Sequence, residues 1–149
     1  MLAIFRYASQ FPYSIQEYNQ VLVEVLRYVG GENNSLICTY DEERLSLRLE
    51  FTEDYIPGTI DRNLVILSCL KLRELKIISP YAFDLVNLSG SSIGFLDLSG
   101  CPLLKIRQRI TIGRLSEITL PPNTLTPEVL QTNLTTRPMK RPYKVITAK

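Results

Sequence analysis

The chain has 149 residues, 45% of them hydrophobic, and a formal net charge of +2. That is enough for one domain with a substantial core, but too little charge to draw the whole molecule onto nucleic acid or an anionic surface. There is no histidine, which removes Ser-His-Asp and Cys-His catalysis and the commonest metal ligand.

Residues 1–60 predict a helix followed by a β-hairpin. Ser14 and Glu17 form a capping box, in which each side chain can satisfy a backbone N–H at the helix start. Ile15, Tyr18, Leu22, Val25 and Val29 then recur on one helical face, with Val21 and Leu26 beside it, and Gly30-Gly31 supplies the exit. Leu36 to Tyr40 and Arg44 to Phe51 predict two strands around the turn Asp41-Glu42-Glu43. In the second strand Leu45, Leu47, Leu49 and Phe51 alternate with Ser46, Arg48 and Glu50, the pattern of a strand with one wet face. Asn33-Asn34 and Pro57-Gly58 mark loops.

Residues 61–125 are repetitive. Ile93-Gly94-Phe95-Leu96-Asp97-Leu98-Ser99-Gly100-Cys101 and Leu115-Ser116-Glu117-Ile118-Thr119-Leu120-Pro121-Pro122-Asn123 share the pattern L-x-x-L-x-L-x-x-(N/C), 22 residues apart. Leu72-Arg73-Glu74-Leu75-Lys76-Ile77 begins it 21 residues earlier. A second, less regular ladder of apolar pairs runs through Leu64, Val86 and Ile110. The pattern resembles the leucine-rich repeat family, in which each turn of chain contributes a strand to a parallel sheet. The resemblance implies an α+β fold: a short leucine-rich-repeat-like solenoid with parallel strands, preceded by an N-terminal helix and hairpin. It implies that Cys101 and Asn123, at the ninth position, bond the backbone between coils, and it places Pro80 at that position in the first repeat. With no long helical segment between the strands, the convex side is expected to be extended or made of short turns. Short strands every 10 to 12 residues also describe an ordinary sandwich or barrel.

Residues 126–149 predict a short helix and an extended basic tail. Thr126-Pro127-Glu128 is a helix start with Thr as cap and Pro at the first position, and Val129-Leu130 would close the end of the solenoid. From Val129 onward there is no Asp or Glu against five Lys and Arg, leaving a net −3 on residues 1–128. Tyr143 to Thr147 could pair as a strand.

Cys38, Cys69 and Cys101 are odd in number and far apart, which is not a disulfide framework and favours a reducing compartment, the cytoplasm or nucleus. No secretory leader and no membrane-spanning run is evident. The cysteines lack C-x-x-C spacing, the glycines form no phosphate loop, and adjacent acids such as Glu42/Glu43 suit a solvated turn. No catalysis, cofactor or metal is therefore expected.

The expected function is non-catalytic protein–protein interaction through a concave sheet, with another protein as partner. Positions between the leucines would present Arg73, Glu74 and Lys76, then Phe95 and Asp97, then Glu117 and Thr119. Equivalent residues would stack about 4.8 Å apart, giving columns Arg73–Gly94–Ser116, Glu74–Phe95–Glu117 and Lys76–Asp97–Thr119. Phe95 would be covered either by a partner or by another part of this chain. The alternative is a structural subunit of a large assembly (a virion, a ribonucleoprotein or an organellar complex) anchored by its tail. Arg137, Lys140, Arg141, Tyr143 and Lys144 would then make the contacts, and nucleic acid would be reached through the tail only. A solvated terminus is the other reading of the same segment.

Overall fold

In the computed structural model, residues 14–31, 36–52, 66–137 and 142–148 are described. Helix α1 spans Ile15–Gly31, and Ser14 caps it by accepting the Glu17 N–H at 3.1 Å. Its inward face is not centred where the apolar periodicity puts it. Asn19, Leu22, Val23 and Leu26 are buried, while Ile15 is 50% exposed. The rotation follows from Asn19, whose carboxamide lies in the interior with both of its functions bonded to the Lys71 backbone. Loop signals at Asn33-Asn34 and Pro57-Gly58, the Val29 side chain, and Leu64 of the second ladder lie outside the described residues.

The hairpin forms as expected, with β1 (Leu36–Asp41) antiparallel to β2 (Ser46–Phe51). Asp41 Oδ1 accepts the Glu43 and Arg44 N–H groups and so shapes the turn. Strands β3 (Lys71–Ile78), β5 (Ser92–Gly100), β8 (Glu117–Leu120) and β10 (Lys144–Thr147) join them in one six-stranded sheet, ordered β1-β2-β3-β5-β8-β10. Every pairing after the hairpin is parallel. The sheet is mixed and mostly parallel and does not close into a barrel, and with the two helices among the described residues the fold is α+β.

Register places Leu47, Leu75, Leu96, Ile118 and Val145 in one row across five strands. The first four are buried and Val145 packs against the same core. The segments on the other side of this core are short. β4 (Phe83–Asp84) pairs in parallel with β6 (Leu104–Lys105), and β7 (Ile110–Thr111) with β9 (Leu134–Thr135). Val86 and Leu88 of the second apolar ladder lie in a 3-10 turn, Leu85–Leu88. The Asp84 carboxylate caps that turn at the Val86 N–H, which favours a tight turn over an extended segment. Helix α2 (Pro127–Asn133) starts as expected, with the Thr126 hydroxyl accepting the Val129 N–H at 3.2 Å; Leu130 is buried and Val129 is exposed.

The ninth-position residues diverge. The Cys101 thiol is buried and donates to the Ile77 carbonyl at 3.2 Å, whereas Asn123 is exposed in a left-handed turn with φ 58. Just before Pro80, Ser79 is buried; its hydroxyl donates to the Tyr81 carbonyl and accepts the Tyr81 N–H.

Candidate functional site: the open face of the sheet

Leucines at alternate positions turn one side of the sheet into the core, so the residues between them line the other side. Two rows result. Ser46, Glu74, Phe95, Glu117 and Lys144 are consecutive neighbours across the strands, as are Arg48, Lys76, Asp97, Thr119 and Ile146. The structure thus brings Glu74, Phe95 and Glu117 together, and Lys76, Asp97 and Thr119. Arg73 lies one step toward the strand starts, beside Gly94: a Cβ on Gly94 would stand 3.0 Å from the Arg73 carbonyl. The middle of the face is a shallow depression of about 390 Å³, bordered by Arg48, Glu74, Lys76, Phe95, Asp97 and Glu117.

Both signs of charge are present on this surface. Lys76 Nζ lies 3.6 Å from Asp97, and Lys144 Nζ lies 4.0 Å from Glu117. Both lysines are well exposed, so each pair contributes only about 0–1 kcal/mol. Asp97 is the best-positioned acid. Its Oδ1 accepts the Ser99 N–H at 2.9 Å and the Ser99 hydroxyl at 2.7 Å. Partial burial works to raise its pKa, but the Ser99 bonds and the Lys76 charge outweigh that and hold it below the usual carboxylate value. Glu74 receives a long bond from the Ser46 hydroxyl at 3.5 Å. Phe95 is 45% exposed at the centre of this face.

Tyr143 and Lys144 belong to the folded unit rather than to a free tail, although the Lys144 side chain is exposed. The Tyr143 hydroxyl donates to the Leu134 carbonyl at 2.8 Å, its burial pushes the phenol pKa up to about 12, and Lys144 opens β10. Arg137 is exposed, and Lys140 and Arg141 lie outside the described residues. Ser46 and Arg48 widen the face by one strand and Ser99 orients Asp97. The alternation around Leu47 and Leu49 marked Arg48 as solvent-facing, but nothing local showed that its strand joins the repeat strands.

Burial raises the thiol of Cys38 to about 11 and that of Cys101 to about 12, leaving them as packing groups. Among the described residues no cluster of Cys, Asp and Glu could hold a metal ion, and no helix is long and apolar enough to cross a membrane. No protein family, curated protein or solved structure matches the chain.

Proposed function

We propose that the chain is a non-catalytic protein-interaction module, a short leucine-rich-repeat-like solenoid that docks another protein on the open face of its sheet. The observation that carries the reading is Phe95, a large apolar ring held in water between Glu74 and Glu117 on a rigid surface. Such a ring favours a partner that covers it, and a preformed sheet loses little entropy when one does. The repeat reading draws support from the 21- and 22-residue spacings together with the row Leu75–Leu96–Ile118. The structural-subunit alternative draws less support, because residues 144–147 of its supposed anchor are a strand of the sheet.

The test is recovery of partners from an extract of the source cells on immobilised full-length chain. Wild type and Leu103→Ser, altered at an exposed leucine in the turn before β6, are expected to retain the same protein, and Phe95→Ser is expected to lose it. Identical recovery by all three would overturn the proposal.

A further inference from the structure

A second surface lies along the rim where the parallel strands begin, and its chemistry differs from that of the open face. A cavity of about 500 Å³ there is bordered by Lys71, Arg73, Ser92, Gly94 and Arg114 together with apolar side chains. An adjoining depression of about 240 Å³ shares Ser92 and adds Ser89, Thr111 and Arg137. The two are joined through the backbone, since Gly113 borders the second, Arg114 borders the first, and the Arg114 N–H donates to the Arg137 carbonyl at 3.2 Å. Among the described residues, neither lining contains a carboxylate. All four cations are exposed, and none makes an ion pair among the described residues. Lys71 is held over the Tyr18 ring, 5.0 Å from its centroid, which leaves its charge available.

Four positive side chains border these two depressions, and among the described residues no carboxylate pairs with any of them. Two residues of the cavity wall also hold backbone conformations that favour glycine: Leu45 at φ 50 and Arg114 at φ 60. An arginine kept at a left-handed position is the kind of local cost that persists where the side chain has a use.

We propose that this rim binds the phosphodiester backbone of single-stranded nucleic acid, independently of sequence. Guanidinium forks and serine hydroxyls match phosphate oxygens. The cations recur from β3 to the start of β8, a span of two strand spacings or about 10 Å, which suits a ligand carrying a charge on every unit. Among the described residues no aromatic ring lines the trough to offer a base platform, so the contact is to the backbone. The surface is distinct from the open face, and from residues 143–149.

The probe is a fluorescent 15-residue oligothymidylate, titrated with the full-length chain from about 20 mM salt upward and read by anisotropy. Binding is expected at low salt, with a log–log salt slope of about −2 to −3 for three or four phosphates contacted at about 0.7 each. Arg73→Gln with Arg114→Gln is expected to weaken binding about tenfold or more and to flatten the slope by about 1.4. Lys105→Gln with Arg107→Gln removes the same charge from the convex side and is expected to change affinity less than twofold. If the first pair fails to fold by circular dichroism, Lys71→Gln with Arg137→Gln takes its place with the same expectation. No binding at 20 mM salt, equal loss from rim and convex pairs, or competition by polyglutamate as effective as by unlabelled oligonucleotide would each overturn the assignment.

Discussion

The Asn19 side chain stands in for a strand residue against Lys71. Its Nδ2 donates to the Lys71 carbonyl at 2.6 Å, and its Oδ1 accepts the Lys71 N–H at 3.1 Å. One buried carboxamide thereby ties α1 to the first residue of β3, and it explains why a polar residue occupies the centre of the inward helical face. Asn19→Ala is expected to leave both backbone groups short of a partner and to cost about 2–6 kcal/mol, the sum of two such losses. Urea denaturation monitored by circular dichroism measures it. A midpoint equal to that of wild type would mean that the pair does not anchor the helix.

Leu96 and Phe95 are sequence neighbours that face opposite sides of one sheet, and their substitutions are expected to differ accordingly. Leu96 is 2% exposed in the row with Leu75 and Ile118. Leu96→Asp buries an unpaired carboxylate and should cost about 4 kcal/mol or more, enough to unfold a domain of ordinary stability. Phe95→Ser should cost only about 1–2 kcal/mol, because its ring is already 45% exposed. Equal destabilisation by the two would show that Phe95 belongs to the core.

The C-terminal strand is expected to be structural. Removing residues 143–149 uncovers the edge of β8 and deletes the Tyr143 hydroxyl bond to Leu134. The truncated chain should melt well below wild type and associate through the bared edge, and Tyr143→Phe alone should cost about 1 kcal/mol. A truncated chain with an unchanged melting temperature would return this segment to the role of a free tail.

Asp97 makes stability depend on pH in a defined direction. Its pKa is lower in the folded chain than its ordinary value, so its contribution is complete above the unfolded carboxylate pKa of about 4. The contribution is lost as pH falls through the depressed folded value. Comparing urea midpoints from pH 6 down to pH 2, wild type should lose more stability than Asp97→Asn. Parallel curves would mean that the Ser99 and Lys76 contacts do not favour the charged form.

Thiol reactivity should separate the three cysteines. Cys38 and Cys101 are buried, with thiols raised to about 11 and 12, while Cys69 is partly exposed. A thiol reagent at pH 8 is expected to label Cys69 alone in the native protein and all three in urea. Rapid native labelling of Cys101 would contradict its bond to the Ile77 carbonyl.

Wherever the signal is local or strictly periodic, the amino-acid sequence determines the structure. Ser14 and Thr126 are caps because a hydroxyl one position before a helix meets free N–H groups. Alternating leucines make β2 a strand with one wet face, and the 21- and 22-residue spacings put Leu75, Leu96 and Ile118 in register. The same spacings place Glu74 beside Phe95 and Lys76 beside Asp97, so the centre of the open face was legible. Tertiary structure decided what depends on distant partners. Leu47 beside Leu75 and Val145 beside Ile118 are pairings between segments with no shared repeat, chosen because each covers an exposed sheet edge and a stretch of core. The helical face turned toward Asn19 for the same reason, since the Lys71 backbone that satisfies it lies 52 residues away. The cationic rim is tertiary as well: Lys71, Arg73, Arg114 and Arg137 are scattered in the chain and meet only because parallel strands begin at one end of the sheet.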